Sequence, residues 1–236
     1  MYERRIKRLK PMLVSFSGLD GSGKTTQIAH ARDVLVCRGR RVTLLAFWDD
    51  VVVGKSYREQ FVHRVYGSEK GVGSPERPVE RQDKNVRAWY LTIVRHVLYL
   101  TDAINLRRVI HRAWRRGADV ILFDRYVYDE LANLPLDNRL SQGFVHFVDR
   151  MVPRPNLALL LDADPEAARA RKPEYPLEFM RKCRRAYFNL AQLLGNLTII
   201  PPLPLTEARH EVEVALIRKI QSGPGEQPQL DFTPAA

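Results

Sequence analysis

Residues Gly18, Leu19, Asp20, Gly21, Ser22, Gly23, Lys24 and Thr25 fit the spacing G-x-x-x-x-G-K-[ST], whose parts all serve to hold phosphate. Glycines at 18, 21 and 23 let successive backbone N–H groups converge on one concavity. A helix opening there adds the positive end of its dipole. In such a loop Lys24 reaches the β- and γ-phosphates of a nucleotide such as ATP, the Thr25 hydroxyl ligates Mg2+, and Ser22 and Thr26 belong to the same cradle. The plainer reading is a Gly-rich turn with no ligand. Context opposes it, because an apolar run leads into the loop and a helical segment follows. Asp20 is the odd residue, a carboxylate in the middle of an anion-binding loop. It could accept a hydrogen bond from an acceptor hydroxyl or hold a metal-bound water, or it could simply form an Asx turn.

Other charged residues stand where apolar runs end. Asp124 closes the run 119–124, a good place for an acid on a Mg2+-bound water, and Arg125 after it carries a planar fork suited to phosphate. The alternative is an Asp–Arg pair that merely braces its loop. Arg169, Arg171 and Lys172 follow the run 157–162. They could cover a transferring phosphoryl group, or they could be the wet face of a helix.

The elements that must position these residues are legible as an alternation. MLVSFS (12–17), VTLLAF (42–47), DVILFD (119–124), LALLLD (157–162) and LTII (197–200) read as strands. They are continuously apolar, as strands buried on both faces of a parallel sheet are. Several end in a polar or acidic residue, which puts function at the carboxyl ends of the strands. Between them the spacing predicts helices over 25–38 (stopped by Gly39), about 86–116 (stopped by Gly117), 178–194 (stopped by Gly195), and a last one capped by Thr206. The long one is apolar at Trp89, Ile93, Val97, Leu100 and Ile104. The alternation implies a single α/β domain over 1–221. Residues 67–85, rich in Gly and Pro, read as a mobile loop, and 222–236 as a disordered tail.

Composition bounds the rest. The chain has 236 residues, 45% of them hydrophobic and 28% charged, and no apolar run approaches a bilayer-spanning length. The basic start with its short apolar stretch does not make a signal peptide, so a cytoplasmic protein is expected. Cys37 and Cys183 form neither a disulfide framework nor a metal site and read as small, mostly buried hydrophobes. The net charge of +11, largely Arg, leaves open a nucleic-acid partner, a phosphorylated small substrate, or only a solvated helix face at RRVIHRAWRR.

In combination, FSGLDGSGKTTQ, FDRYVYD (123–129) and LLLDADPEAARAR (159–171) resemble the phosphate loop, the DRY motif and the lid of thymidylate kinases, over about residues 12–221. The resemblance implies a P-loop three-layer α/β/α fold with strand order 2-3-1-4-5, a homodimer, and ATP·Mg2+-dependent phosphorylation of a nucleoside monophosphate, dTMP first. It implies that Asp20 faces the second substrate, that Arg125 and Tyr126 lie at the acceptor, and that Arg169 and Arg171 sit in a lid over 165–176. The departures are specific. Asp49 and Asp50 stand where the family carries an Arg after its second strand. The A-D-R step of the long helix reads TDA, with Asp102 kept and Ala103 replacing Arg, and the DRYxxS serine is Asp129. Arg95 could supply a missing cation. An acid after the second strand beside an aromatic, here Asp49 and Trp48, is also how deoxynucleoside kinases deprotonate a hydroxyl acceptor, so that alternative stays open. So does a nucleotide- or nucleic-acid-binding protein without turnover.

Overall fold

Short apolar runs form strands because their neighbours can bury both faces. The computed structural model describes residues 11–54 and 89–222. It contains β1 (Met12–Gly18), β2 (Val42–Ala46), β3 (Val120–Asp124), β4 (Leu157–Leu161) and β5 (Leu197–Ile200). All pair in parallel, in the expected order β2-β3-β1-β4-β5. β1 and β4 are buried along their whole length, whereas the edge strands β2 and β5 are mostly half-buried. Phe16 lies opposite Asp124 and Gly18 opposite Leu161, so the chain leaving β1 emerges between the carboxyl ends of β3 and β4.

Seven helices flank the sheet among the described residues: α1 (Lys24–Cys37), α2 (Trp89–Arg115), α3 (Val127–Leu131), α4 (Arg139–Met151), α5 (Pro165–Arg171), α6 (Leu177–Leu194) and α7 (Leu205–Ser222). On one face Ile28, Ala31 and Leu35 of α1, with Val212 and Leu216 of α7, pack on Val14, Phe16, Leu122 and Leu159. On the other, Leu106 and Ile110 of α2, Val145 and Val148 of α4 and Leu190 of α6 pack on Leu13, Ile121, Phe123 and Leu160. Alternate residues of β1 thus feed opposite cores, as the strand period requires. The result is a three-layer α/β/α fold.

The structure departs from the sequence reading at definite points. β2 ends at Ala46, and Phe47–Val51 coils into a π-helical turn. The Asp50 carboxylate folds back to accept the Ala46 N–H at 2.7 Å, a local bond that competes with strand continuation. α7 begins at Leu205, with the Ala208 N–H bonded to Pro204 O, so Thr206 lies inside the first turn and is not its cap. In α2 the buried face is Tyr99, Ala103, Leu106, Ile110 and Ala113, while Val97 and Ile104 of the expected apolar stripe are about half exposed. Cys37 is exposed and so is not the buried hydrophobe expected, whereas Cys183 is half-buried and packs against the core. The loop expected at 67–85 and the tail beyond Ser222 lie outside the described residues.

Candidate active site

Helices α4 and α5 each begin with a side-chain cap, Asn138 accepting the Leu140 N–H and Asp164 the Ala167 N–H. Helix α1 has none. It opens at Gly23 in a left-handed conformation, with no capping side chain and no acid in its first turn, which leaves its N–H groups to an anion. The loop before it fits closely against its surroundings. A Cβ on Gly21, whose φ is +82°, would stand 2.4 Å from the Ala168 carbonyl oxygen of α5. Lys24 is 7% exposed, and its Nζ donates to the carbonyls of Gly18 and Leu19 at 3.0 and 2.7 Å. Thr25 and Thr26 are exposed on the first turn, while Ser22 Oγ is buried without a hydrogen-bond partner. Behind the loop a cavity of only about 10 Å³ remains against Arg184 and Tyr187, no more than one water's worth.

The carboxyl end of β3 delivers the opposing charges. Arg125 has a φ of 63°, and its N–H bonds to Phe16 O at 2.9 Å, which turns the chain sharply as it leaves the sheet. Its guanidinium reaches Asp20 through Nη2 and Asp129 through Nη1, the latter at 3.3 Å. Asp20 also lies 3.9 Å from Lys24 Nζ. Asp20, Lys24, Arg125 and Asp124, expected from the sequence to act together, form one cluster. Burial, with the neighbouring Arg125 cation, lowers the Lys24 pKa from 10.5 to about 8, against the opposing pull of Asp20, Asp129 and Asp124. Burial also raises Asp124 above the usual carboxylate range, with Lys24 and Arg125 resisting. Burial alone would lower Arg125. Asp129, Tyr187, Asp20 and Asp124 together outweigh it and hold its pKa above the ordinary value.

Helix α5 closes over the phosphate loop from the β4 side. Arg171 Nε donates to Gly21 O at 2.9 Å, and Arg169 keeps a buried Nε with no hydrogen-bond partner. Arg181 of α6 holds Glu166 of α5 at 2.8 Å. Arg184 forks onto Asp162 just past β4 at 2.7 and 2.6 Å. Residues 165–176, read from sequence as a lid, are therefore a short helix and a turn docked on the loop.

Other expected site residues go elsewhere. Tyr126 is fully buried, its ring against Phe123 and Tyr128 and its hydroxyl donating to Pro153 O, so it is a core residue and not a substrate contact. Asp102 is also fully buried and accepts the Val53 N–H at 3.0 Å, so it fixes the chain after the π-helical turn instead of meeting substrate. Trp48 and Asp49 are exposed on that turn, past the carboxyl end of β2. Arg95 falls on α2 at a position whose side chain lies outside the described residues. The arginines of the basic run are exposed, Arg107, Arg108, Arg112 and Arg115 on α2 and Arg116 just past its end. A shallow hollow of about 400 Å³ beside Leu203, Thr206 and His210 is set apart from this chemistry, at the start of α7. Sequence reasoning missed the buried carboxylate of Asp129 and its partners Ser17 and Tyr187. The one available signal was its place four residues after Arg125, one helical turn away.

A parallel sheet in this order, an uncapped helix behind a Gly-rich loop, and a buried lysine facing an Asp–Arg pair define the α/β fold of a P-loop kinase. No family model matches the chain. Relatives do: it is 29% identical over 212 residues to a protein of Archaeoglobus fulgidus described as probable thymidylate kinase, covering 85% of this chain and 92% of that one. A probable thymidylate kinase of Pyrococcus abyssi is 28% identical, covering 89% and 97%. A thymidylate kinase of Bifidobacterium longum subsp. infantis is 28% identical, covering 78% and 76%. The chain is thus similar to thymidylate kinases over most of its length.

Proposed function

We propose that the protein transfers the γ-phosphoryl group of ATP to a nucleoside monophosphate, dTMP being the acceptor indicated by the relatives' names. The observation that carries this reading is the contact of Arg125 with Asp20 beside Lys24. Phosphoryl transfer asks for positioning and charge neutralisation more than covalent chemistry. The backbone N–H groups at the start of α1 and the Lys24 ammonium bind the donor phosphates. Arg125 offers its fork to the acceptor's phosphate, exchanging Asp20 for it. Asp20, once released, accepts the hydrogen bond of an acceptor hydroxyl and keeps that end of the acceptor in line. Arg169 and Arg171 cover the transferring group and exclude water.

The residues fit the metal that such a reaction uses. Thr25 on the first turn of α1 and Asp124 at the end of β3, the latter through water, would hold Mg2+, which neutralises phosphate charge when bound. Among the described residues no group of three or more His, Cys, Asp or Glu side chains could hold a metal ion unaided.

We read residues 1–221 as one kinase unit acting in the cytoplasm, where ATP is available and the free thiols of Cys37 and Cys183 stay reduced. No helix of the described residues is long and apolar enough to cross a membrane. We further propose a homodimer, supported by apolar side chains left exposed on neighbouring helices: Val97 and Ile104 on α2, Leu140 and Phe147 on α4. Those helices touch through His96 and Phe144, whose ring centroids are 4.1 Å apart.

The deciding experiment offers dTMP, dUMP, other monophosphates and free nucleosides with ATP and Mg2+ and follows ADP release. Arg125→Lys should weaken turnover of monophosphates by about 1.5–3 kcal/mol, because a point charge cannot replace a bidentate fork. Turnover of nucleosides alone, abolished in Asp49→Asn, would replace this reading with a hydroxyl-acceptor kinase that uses Asp49 as its base. Silence across the panel, with ATP bound, would leave a binding protein.

A further inference from the structure

One carboxylate at this site has no part in the reaction described so far. Asp129 lies on α3 with 4% of its side chain exposed, and each of its oxygens accepts two hydrogen bonds. Oδ2 takes Ser17 Oγ at 2.6 Å and the Tyr126 N–H at 3.0 Å. Oδ1 takes the Tyr187 hydroxyl at 2.7 Å and Arg125 Nη1 at 3.3 Å. That is the full accepting capacity of a carboxylate. Its donors come from β1, from the loop after β3 and from α6, so three elements meet on one side chain. A fold needing only a buried polar tie would be served by fewer bonds and no guanidinium.

The arrangement around Arg125 is asymmetric. Nη1 faces the buried, fixed Asp129, and Nη2 faces Asp20, whose side chain is 25% exposed on the phosphate loop. The backbone of Arg125 is left-handed, uncommon for a residue other than glycine, and so needs surroundings that dictate it. We propose that Asp129 is a positioning residue that anchors one side of the Arg125 guanidinium, leaving the other side to exchange between Asp20 and the acceptor's phosphate. The proposal rests on the reading of Arg125 as the acceptor's partner. Tyr187 carries the anchor to α6, which also holds α5 through Arg181 and Asp162 through Arg184. The acceptor arginine and the lid thus share one supporting helix.

Two variants and one measurement on the unaltered protein test this. Asp129→Asn keeps the shape but removes the charge, and Arg125 then turns wholly to Asp20 in competition with the acceptor. The dTMP KM should rise at least tenfold while the ATP KM changes less than about twofold, tenfold being about 1.4 kcal/mol. Ser17→Ala removes one of the two bonds to Oδ2 and leaves Oδ1 untouched, so it should lower Tm with a much smaller rise in the dTMP KM. Equal KM rises in both variants, or none in Asp129→Asn, would overturn the proposal in favour of a purely structural tie. Should Asp129→Asn fail to fold, nitrogen NMR of the Arg125 guanidinium in the unaltered protein decides, its signals assigned by their loss in Arg125→Lys. Hindered rotation, with Nη1 unmoved and Nη2 shifting on addition of dTMP, upholds the anchor, and free rotation defeats it. If the unaltered protein phosphorylates no monophosphate, the functional reading falls separately, and hindered rotation without acceptor still reports on the anchor.

Discussion

Lys24 is the residue whose physical state most directly sets the chemistry. Its ammonium is buried, and its pKa of about 8 means the charge that would meet a phosphate is lost just above neutrality. Below pH 8 the lysine is already charged, and nucleotide affinity should be flat. Above it, binding must draw a proton from solvent, so affinity should fall by up to about tenfold per pH unit until the pKa of the bound state is passed. Calorimetry in buffers of different ionisation enthalpy should register uptake approaching one proton at pH 9 and almost none at pH 7. Constant affinity across that range would mean the lysine is not at the phosphates. For stability the sign is opposite: the unfolded chain binds more protons between pH 8 and 10.5, so folding gains as pH rises through that window. Lys24 was legible in the sequence because its role is written into a local spacing. The Asp129 hub was not, because its partners come from Ser17 and Tyr187, far away along the chain. Tyr126 and Asp102 failed as expected site residues for a related reason. A motif gives neighbours in sequence but not the direction in which a side chain turns, and both turn into the core.

Among the elements, α5 is the most revealing, since two independent contacts dock it on the phosphate loop. One is the close approach of Gly21 to the Ala168 carbonyl, and the other the bond from Arg171 to Gly21 O. Gly21→Ala meets both a positive φ and a backbone oxygen 2.4 Å away, so it should push α5 off the loop. A stability loss of about 1–3 kcal/mol is expected, together with lower ATP affinity, measured by denaturant titration and nucleotide binding. Arg171→Ala leaves the backbone alone. It should cost less stability, about 1 kcal/mol, yet speed hydrogen exchange across residues 165–176. Unchanged exchange there would show that Arg171 does not hold the helix down. Strands and long helices were readable as elements because periodicity and glycine stops are local signals. The π-helical turn at Phe47–Val51 was not, since Asp50 bonding back to Ala46 looks in sequence like the end of a strand.

At the scale of the whole molecule, the exposed apolar side chains of α2 and α4 argue for a second copy. Phe147→Glu, at a position 54% exposed, should leave the monomer's fold intact and shift sedimentation from dimer toward monomer. Sedimentation of the unaltered protein as a monomer would remove the proposal at once. The sheet order carries a different consequence, for how the chain comes to be folded. β1 sits at the centre and is buried along all seven residues, paired with β3 on one side and β4 on the other. Until Leu161 has left the ribosome, one flank of this apolar strand has no partner, and neither Gly18 nor the phosphate loop after it has a fixed place. At the usual pace of synthesis that wait is roughly 7–30 s, long compared with collapse, and parallel pairing across such distances is slow in itself. The strand that launches the nucleotide site is made long before β4 and secured only with it, so a chain halted before β4 exposes a sticky segment instead of a half-built enzyme.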